Sequence, residues 1–247
     1  MKVLAVIPAR WCSSRFPGKP LALINGKPMI SIVWKKVIKA KSINNSIVAT
    51  DDKRIFDSCK KMSINVIMTS KKHLTGTDRV YEVSKRIKSD IYVNIQGDEP
   101  LINPKSIDAV INLLKKSLKR KIFASTAYVK IPKNQKKKLT GVYLVCNKQN
   151  EVLYLSRYPI TSNFKKKIYK KKHIGIYAFT KDCLKIFSKL KFKRLESSES
   201  IEILRLIENG YTLISQEVNT PLIDVNYPND IKKVENFLTK KIAKRIR

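Results

Sequence analysis

The residues densest in chemistry lie early in the chain, in PARWCSSRFPGKP, where Arg10, Arg15 and Lys19 stand with Ser13, Ser14 and Gly18. Three cations with hydroxyls and backbone N–H groups suit a polyphosphate, because the arginine fork matches phosphate oxygens and lysine adds a point charge. The spacing is not that of a Walker A loop, since only Gly18 precedes Lys19 and Pro20 follows it, and no G-x-G-x-x-G is present. An ordinary basic loop would share this composition. A second segment, NIQGDEPLI, brings Gln96, Asp98 and Glu99. A carboxylate at a strand's end can hold Mg²⁺ together with substrate phosphates, or it can serve as a turn former or helix cap. A third segment, IDVNYPNDI, offers Asp224 and Asn226, which share a face if the stretch is extended. A second carboxylate near Asp98 would allow two magnesium ions at one phosphoryl centre. Asn226 also fits a helix cap ahead of Pro228.

These segments need strands to end where they begin. Short β-branched runs at 3–7, 46–50, 64–68 and 91–95 predict strands. Between them, Ile30, Val33, Trp34 and Val37 recur at helical spacing after Pro28, and a second helix fits 53–62. Further helices are predicted after Thr77, with Val80, Val83 and Ile87 inward, and after Pro104, with Ile107, Ile111 and Leu114 inward. The alternation predicts an α/β fold with a mostly parallel, doubly wound sheet, in which ligands sit beyond the carboxyl ends of the strands. Strand-like runs at 122–131, 142–146 and 173–179, separated by lysine-rich loops, predict a β-rich insertion over roughly 122–179. A helix at 199–208, a strand at 212–215 and a helix from Pro228 carrying Ile231, Val234, Leu238 and Ile242 close one domain spanning 1–247.

Composition narrows the class. Hydrophobic residues at 43% of 247 exclude a disordered chain despite 29% charged residues. Cys12, Cys59, Cys146 and Cys183 form no C-x-x-C pair, so neither a zinc pattern nor a secreted disulfide framework is expected, and a cytoplasmic location is the simplest. The opening apolar run is too short for a signal-peptide core, and no stretch has transmembrane length. Against 19 acidic residues stand 52 Lys and Arg, a net charge of +33 that alone would suit a nucleic-acid binder. The clusters at 136–138, 165–167 and 170–172 fall in breaks between apolar runs, without an RNA-reading or zinc-finger motif, and read as solvated faces.

In order along the chain, PARWCSSRFPGKPL, ATDD (49–52), HLTGTDR (73–79), NIQGDEP, LSR (155–157) and HIGIYAF resemble the 3-deoxy-manno-octulosonate cytidylyltransferases. The likeness covers nearly the whole chain, and A-R-x-x-S-x-R-x-P-G-K with Q-G-D-E-P is specific. Sialic-acid relatives carry K-N after A-R-x-G-S. The resemblance implies a Rossmann-like nucleotide-diphospho-sugar transferase fold. It implies an enzyme that makes a CMP-sugar and pyrophosphate from CTP and a 2-keto sugar acid, with Mg²⁺ and as a homodimer, for lipopolysaccharide or surface-polysaccharide synthesis. The anomeric 2-hydroxyl would attack the α-phosphorus in line, with positioning and charge neutralisation supplying most of the rate. By matching motif, Arg10, Ser14, Arg15 and Lys19 would bind the triphosphate, Arg79 and Gln96 would place nucleotide and sugar, and Asp98 would hold the metal. Arg10, Lys19 and Asp98 would be the catalytic set, and the 122–179 region would serve dimerisation and sugar binding.

On the sugar side, Arg157 would pair with the substrate carboxylate, with His173, Tyr177, Glu199 and Glu202 around the hydroxyls. His173 also reads as a satisfied core residue, and Glu199 as an acid complementing a helix N-terminus. Glu202 is expected on the same helical face as Glu199. Two departures stand out. KLTGVY replaces the family's N-P-N-x-V-K, putting Tyr143 where a lysine is expected, and Asn226-Tyr227-Pro228-Asn229-Asp230 replaces D-T-P-E-D. Asp224, one strand period away, is expected to take over the second metal role. A same-fold nucleotidyltransferase using another sugar, an inactive relative, and a basic nucleic-acid binder on this fold are the alternatives. Neither a specific nucleic acid nor membrane insertion is expected.

Overall fold

A computed structural model describes residues 1–13, 15–131, 141–160, 169–192 and 194–246, with side chains up to Lys241. Strand β1 (Val3–Ala9) is an apolar run buried on both faces, as expected of a central parallel strand. Its alternation divides it between two cores. Val3, Ala5, Ile7 and Ala9 join one, while Leu4 and Val6 join the other.

The chain continues through the hairpin β2 (Leu23–Ile24) and β3 (Lys27–Pro28), α1 (Met29–Val37), β4 (Asn45–Thr50), α2 (Lys53–Lys61), β5 (Val66–Met68), α3 (Gly76–Arg86), β6 (Ile91–Ile95) and α4 (Pro104–Ser117). The second half adds β7 (Ala124–Ile131), β8 (Tyr143–Cys146), β9 (Val152–Ser156), β10 (Lys170–Thr180), α5 (Lys181–Lys189), α6 (Arg194–Glu199), α7 (Leu204–Glu208), β11 (Leu213–Glu217) and α8 (Asp230–Ile246). The main sheet runs β11-β7-β10-β6-β1-β4-β5. Its pairings are parallel except those of β10, which lies antiparallel to both β6 and β7. Helices α1, α2, α4 and α8 cover one face through Ile30, Ile55, Leu114 and Val234; α3, α5 and α7 cover the other through Val83, Phe187 and Leu206. No helix among the described residues is long and apolar enough to cross a membrane.

Three expectations need correction. The stretch predicted as an insertion supplies two strands of the main sheet, β7 and β10, and only β8 and β9 branch off its path. An apolar run reads the same whether its strand is central or appended, so periodicity could not separate the cases. The helix predicted over 199–208 is two helices, because Ser200 adopts a left-handed φ of 52° between α6 and α7. Glu199 therefore ends a helix and shares no helical face with Glu202. The lysines at 170–172 lie in β10 rather than a loop, and Lys172 is buried. The clusters at 136–138 and 165–167 lie outside the described residues, as does the Ile242 side chain.

HLTGTDR builds the start of α3. Thr75 and Asp78 close a capping box there, each side chain bonding the other's backbone N–H. One turn in, Arg79 faces the sheet and is fully buried, with Nη2 2.7 Å from Asp51 and Nη1 bonded to Thr69 Oγ1. The expected role of Arg79 in placing nucleotide and sugar does not fit this position. It ties α3 to the ends of β4 and β5 instead. Removing one partner of a buried pair leaves an uncompensated charge. We expect Asp51→Ala to lower unfolding stability by about 3–5 kcal/mol, seen as a lower urea midpoint at an unchanged slope.

His173 on β10 is the buried imidazole of the sheet. Its Nε2 lies 2.8 Å from Thr126 Oγ1, whose single proton goes to the Ile176 carbonyl, so Nε2 carries the ring hydrogen. Burial, aided by the neighbouring Lys172 charge, pushes its pKa down from 6.5 to about 3. Below pH 6.5 the unfolded chain takes up a proton that the folded chain refuses. This contribution to stability is therefore complete above that pH and is lost as the pH falls toward 3, with a slope approaching about 1.4 kcal/mol per pH unit. Urea titrations between those limits should show a flatter pH dependence for His173→Gln.

Candidate active site

β1 ends at Ala9, and the chain turns directly into the basic loop. Backbone bonds from Gly18 N–H to the Trp11 carbonyl (2.9 Å) and from Lys19 N–H to the Phe16 carbonyl (3.2 Å) close it. The Arg54 guanidinium lies 3.5 Å over the Trp11 ring and is tied in turn to Asp52, the N-cap of α2. Arg10 donates to the Leu74 carbonyl at 3.0 Å, beside the capping box of α3, and Arg15 lies over the Tyr227 ring. Both guanidiniums are exposed toward one cavity. Ser14 lies outside the described residues.

The loop after β6 is clamped to β10. Gln96 N–H donates to the Gly175 carbonyl (3.1 Å), and Gly175 N–H donates to Glu99 Oε1 (2.6 Å). A Cβ at position 175 would sit 2.5 Å from Gln96 Cγ, so only glycine allows this approach. Asp98 receives Lys19 Nζ at 2.6 Å, and Lys19 also donates to the Val225 carbonyl at 3.1 Å. Val225 N–H returns to the Asp98 carbonyl at 2.9 Å, which sets the 224–226 stretch beside Asp98. Asp224 pairs with Lys172 at 2.9 Å and accepts from the Asn226 amide. Asn226 thus orients Asp224 instead of capping a helix. Asp230, the first residue of α8, accepts the N–H groups of Asn226 and Tyr227 and so ties the turn ahead of the helix to its start.

Burial favours the uncharged form at several other groups that line the cavity. Tyr177 stacks on His173 with centroids 5.0 Å apart, and burial raises its phenol well above the ordinary range. Burial, reinforced by Asp98 and Asp224 and opposed by the Gly175 N–H, pushes Glu99 up to about 8. Glu202, also raised by burial, accepts from Thr77 N–H at 3.0 Å and from Asn94. Arg157 follows β9 and donates from Nε and Nη2 to the Glu199 and Ser200 carbonyls, at 3.0 and 2.9 Å. It thereby serves the acceptors left free where α6 ends. Glu199 accepts the Arg157 backbone N–H at 2.8 Å, so it positions Arg157 and complements no helix N-terminus.

Arg10, Arg15, Gln96, Asp98, Arg157, His173, Tyr177, Glu202, Asp224 and Asn226 all line a single cavity of about 810 Å³. That volume suits a nucleotide with a second small ligand. Lys19 reaches it through Asp98, whereas Arg79 and Glu199 stand behind its walls. Two further lining residues, Glu99 and Lys172, were not among the expected site residues. Glu99 sat in view beside Asp98 in the same motif. Lys172 was hidden in a lysine run. It pairs in register with Tyr143 across β8 and β10, so a lysine still stands on this face of the sheet one strand away.

The sequence model described as "Cytidylyltransferase" matches residues 4–218. The 3-deoxy-manno-octulosonate cytidylyltransferase of Geobacter metallireducens is 38% identical over 97% of this chain and 99% of its own. The 8-amino-3,8-dideoxy-manno-octulosonate cytidylyltransferase of Shewanella baltica is 38% identical over 96% of this chain and 99% of its own. Among solved structures, a CMP:2-keto-3-deoxy-manno-octonic acid synthetase complexed with CTP superposes with a TM-score of 0.89 at 35% identity, over 98% of this chain and 100% of that one. A putative glucose-1-phosphate thymidylyltransferase from Bacillus anthracis, covering 95% of this chain and 94% of its own at 14% identity and a TM-score of 0.66, shares the fold. The basic loop, the Q-G-D-E-P turn and the cavity thus sit on a nucleotidyltransferase framework, and the chain belongs to the cytidylyltransferase family.

Proposed function

We propose that the protein transfers CMP from CTP to the anomeric 2-hydroxyl of a 2-keto sugar acid, 3-deoxy-manno-octulosonate or its 8-amino relative, and releases pyrophosphate. The observation that carries this reading is one cavity lined both by the Arg10 and Arg15 guanidiniums and by Gln96, His173, Tyr177 and Glu202, with Asp98 and Asp224 in its wall. Arg10, Arg15 and Lys19 supply fixed positive charge for a triphosphate. Gln96, Tyr177 and His173 offer donors and acceptors for hydroxyl groups, and the Glu202 carboxyl adds a further polar group. As the sugar oxygen bonds to the α-phosphorus, the bond to the β-phosphate oxygen breaks and negative charge grows on the departing pyrophosphate. Preoriented cations at that end lower the barrier because their charges need no reorganisation.

Mg²⁺ fits the same arrangement. Asp98 and Asp224 each already hold a cation, Lys19 and Lys172, at carboxylate oxygens in the cavity wall. Among the described residues no cluster of three or more His, Cys, Asp or Glu could enclose a metal. That accords with an ion held by one or two carboxylates plus substrate phosphates rather than by a protein cage. When bound, it would neutralise phosphate charge and polarise the reacting oxygens. Asn226, whose amide orients Asp224, acts as a supporting group.

Pyrophosphate release with CTP and Mg²⁺, across a panel of 2-keto sugar acids, tests the reading. We expect release with 3-deoxy-manno-octulosonate or its 8-amino relative, and little with UTP. Silence with every acid, coupled with tight, steeply salt-dependent binding to RNA or duplex DNA, would sink it. Two variants probe the centre. Lys19→Met should reduce kcat/KM for CTP by about 10²–10³-fold, the scale of losing one preoriented charge-stabilising donor. Asp224→Asn should raise the Mg²⁺ concentration for half-maximal rate by at least about tenfold, the low end of what even an outer-shell partner contributes. Unchanged Mg²⁺ dependence would remove Asp224 from the metal site.

A further inference from the structure

We infer that Lys172 is the specificity-determining cation for the acceptor's carboxylate. The inference rests on the proposed function and deepens it.

Lysine is seldom buried without a task, because taking its charge out of water is costly unless it is paired. Lys172 lies in β10 with its side chain 6% exposed and its ammonium 2.9 Å from Asp224. The end of its side chain lies against Gly141. A Cβ at Gly141 would fall 2.7 Å from Lys172 Cε and 3.3 Å from Nζ, and Gly141 has a φ of 129° that disfavours any other residue. An ammonium has three N–H donors, and among the described residues Asp224 accounts for one. Among the described residues no other acceptor takes from this ammonium, and Lys172 lines the cavity.

The chemistry of the acceptor fixes where its charge must lie. In a 2-keto sugar acid the carboxylate is attached to the carbon that bears the attacking hydroxyl. It therefore sits two bonds from the attacking oxygen, at the point where donor and acceptor meet. Lys172 stands at that meeting point, bonded to Asp224 on one side and followed in the strand by His173 and Gly175 of the acceptor wall. Arg157, the cation expected for this carboxylate, already directs Nε and Nη2 to the Glu199 and Ser200 carbonyls. A neutral sugar would leave the Lys172 ammonium facing an uncharged group in a partly dehydrated site, which disfavours it.

Lys172→Met, compared with the unmodified enzyme, should raise KM for the sugar acid about 10- to 100-fold, the scale of one charge-assisted hydrogen bond. KM for CTP and the CTP-induced rise in melting temperature should stay unchanged. The unmodified enzyme should discriminate against the C1 carboxamide of the acid by a similar factor, and Lys172→Met should lose that discrimination. Lys172→Arg should recover part of the acid's KM. An unaltered acid KM in Lys172→Met, or a carboxamide penalty equal to that of the unmodified enzyme, overturns the inference while leaving the proposed function standing. If Lys172→Met lacks a cooperative melting transition, Gly141→Ala decides. It keeps the ammonium but displaces the stem, so an unchanged acid KM there also overturns the inference. Failure of the unmodified enzyme to use any 2-keto acid would instead overturn the proposed function.

Discussion

Three segments far apart in sequence meet at Asp98, and the site depends on that junction. Lys19 reaches across 79 positions to the carboxylate and 206 positions to the Val225 carbonyl. Val225 closes the triangle through its N–H bond to the Asp98 backbone. Residues 218–226 form no helix or strand, so no ladder of their own fixes them. Bonds to Tyr128, Leu101 and Asn103 hold 218–220, and the junction holds the far end, with Asp224 and Asn226. Because Lys19 and Asp98 are both partly buried, their attraction is screened less than that of a surface pair. A triphosphate entering the loop would compete for Lys19, so ligand binding and the placement of the 224–226 stretch are physically coupled.

The second organising feature is a gradient of ionisation. At the loop end Arg10 and Arg15 are exposed and charged, as a highly charged ligand requires. Deeper in, burial favours uncharged forms of His173, Tyr177, Glu99 and Glu202. Neutral groups that both donate and accept match hydroxyls, whereas unpaired ions there would carry a large desolvation penalty. At depth, Lys172 is paired with Asp224. The same burial that makes the wall compact thus selects the chemistry of what it can hold.

Much of this was legible in the sequence where a local rule decides the outcome. The apolar run of β1, the helix expected after Thr77 and the Q-G-D-E-P turn after β6 depend on short-range preferences, and their motifs lie where the cavity forms. What failed was decided by the third dimension. Arg79 resembles a ligand-binding cation in sequence, but α3 turns it into the sheet toward Asp51. Glu199 and Glu202 keep helical spacing, yet the left-handed Ser200 sends one to Arg157 and the other to Thr77. Lys172 was concealed among neighbouring lysines, because composition cannot tell which member of a run points inward. The antiparallel setting of β10 was equally invisible, since strand direction leaves no periodic mark.

The excess of cations follows from where the acids are used. Asp52, Asp78, Asp108 and Asp230 accept backbone N–H groups at helix starts and loop junctions, and Glu196 with Asp78 neutralises the buried Arg205. With 19 acids in all against 52 Lys and Arg, and several of the acids engaged in this way, many lysines have no acidic partner to balance them. The resulting field raises the local concentration of any anion near the cavity mouth, within a screening length of about 8 Å at physiological salt. Such a field attracts nucleotides, sugar acids and nucleic acids alike, so it cannot confer selectivity. Discrimination must come from groups whose positions are set at short range, and the fold supplies them where Gly175 lets β10 touch Gln96 and where Gly141 lets Lys172 through.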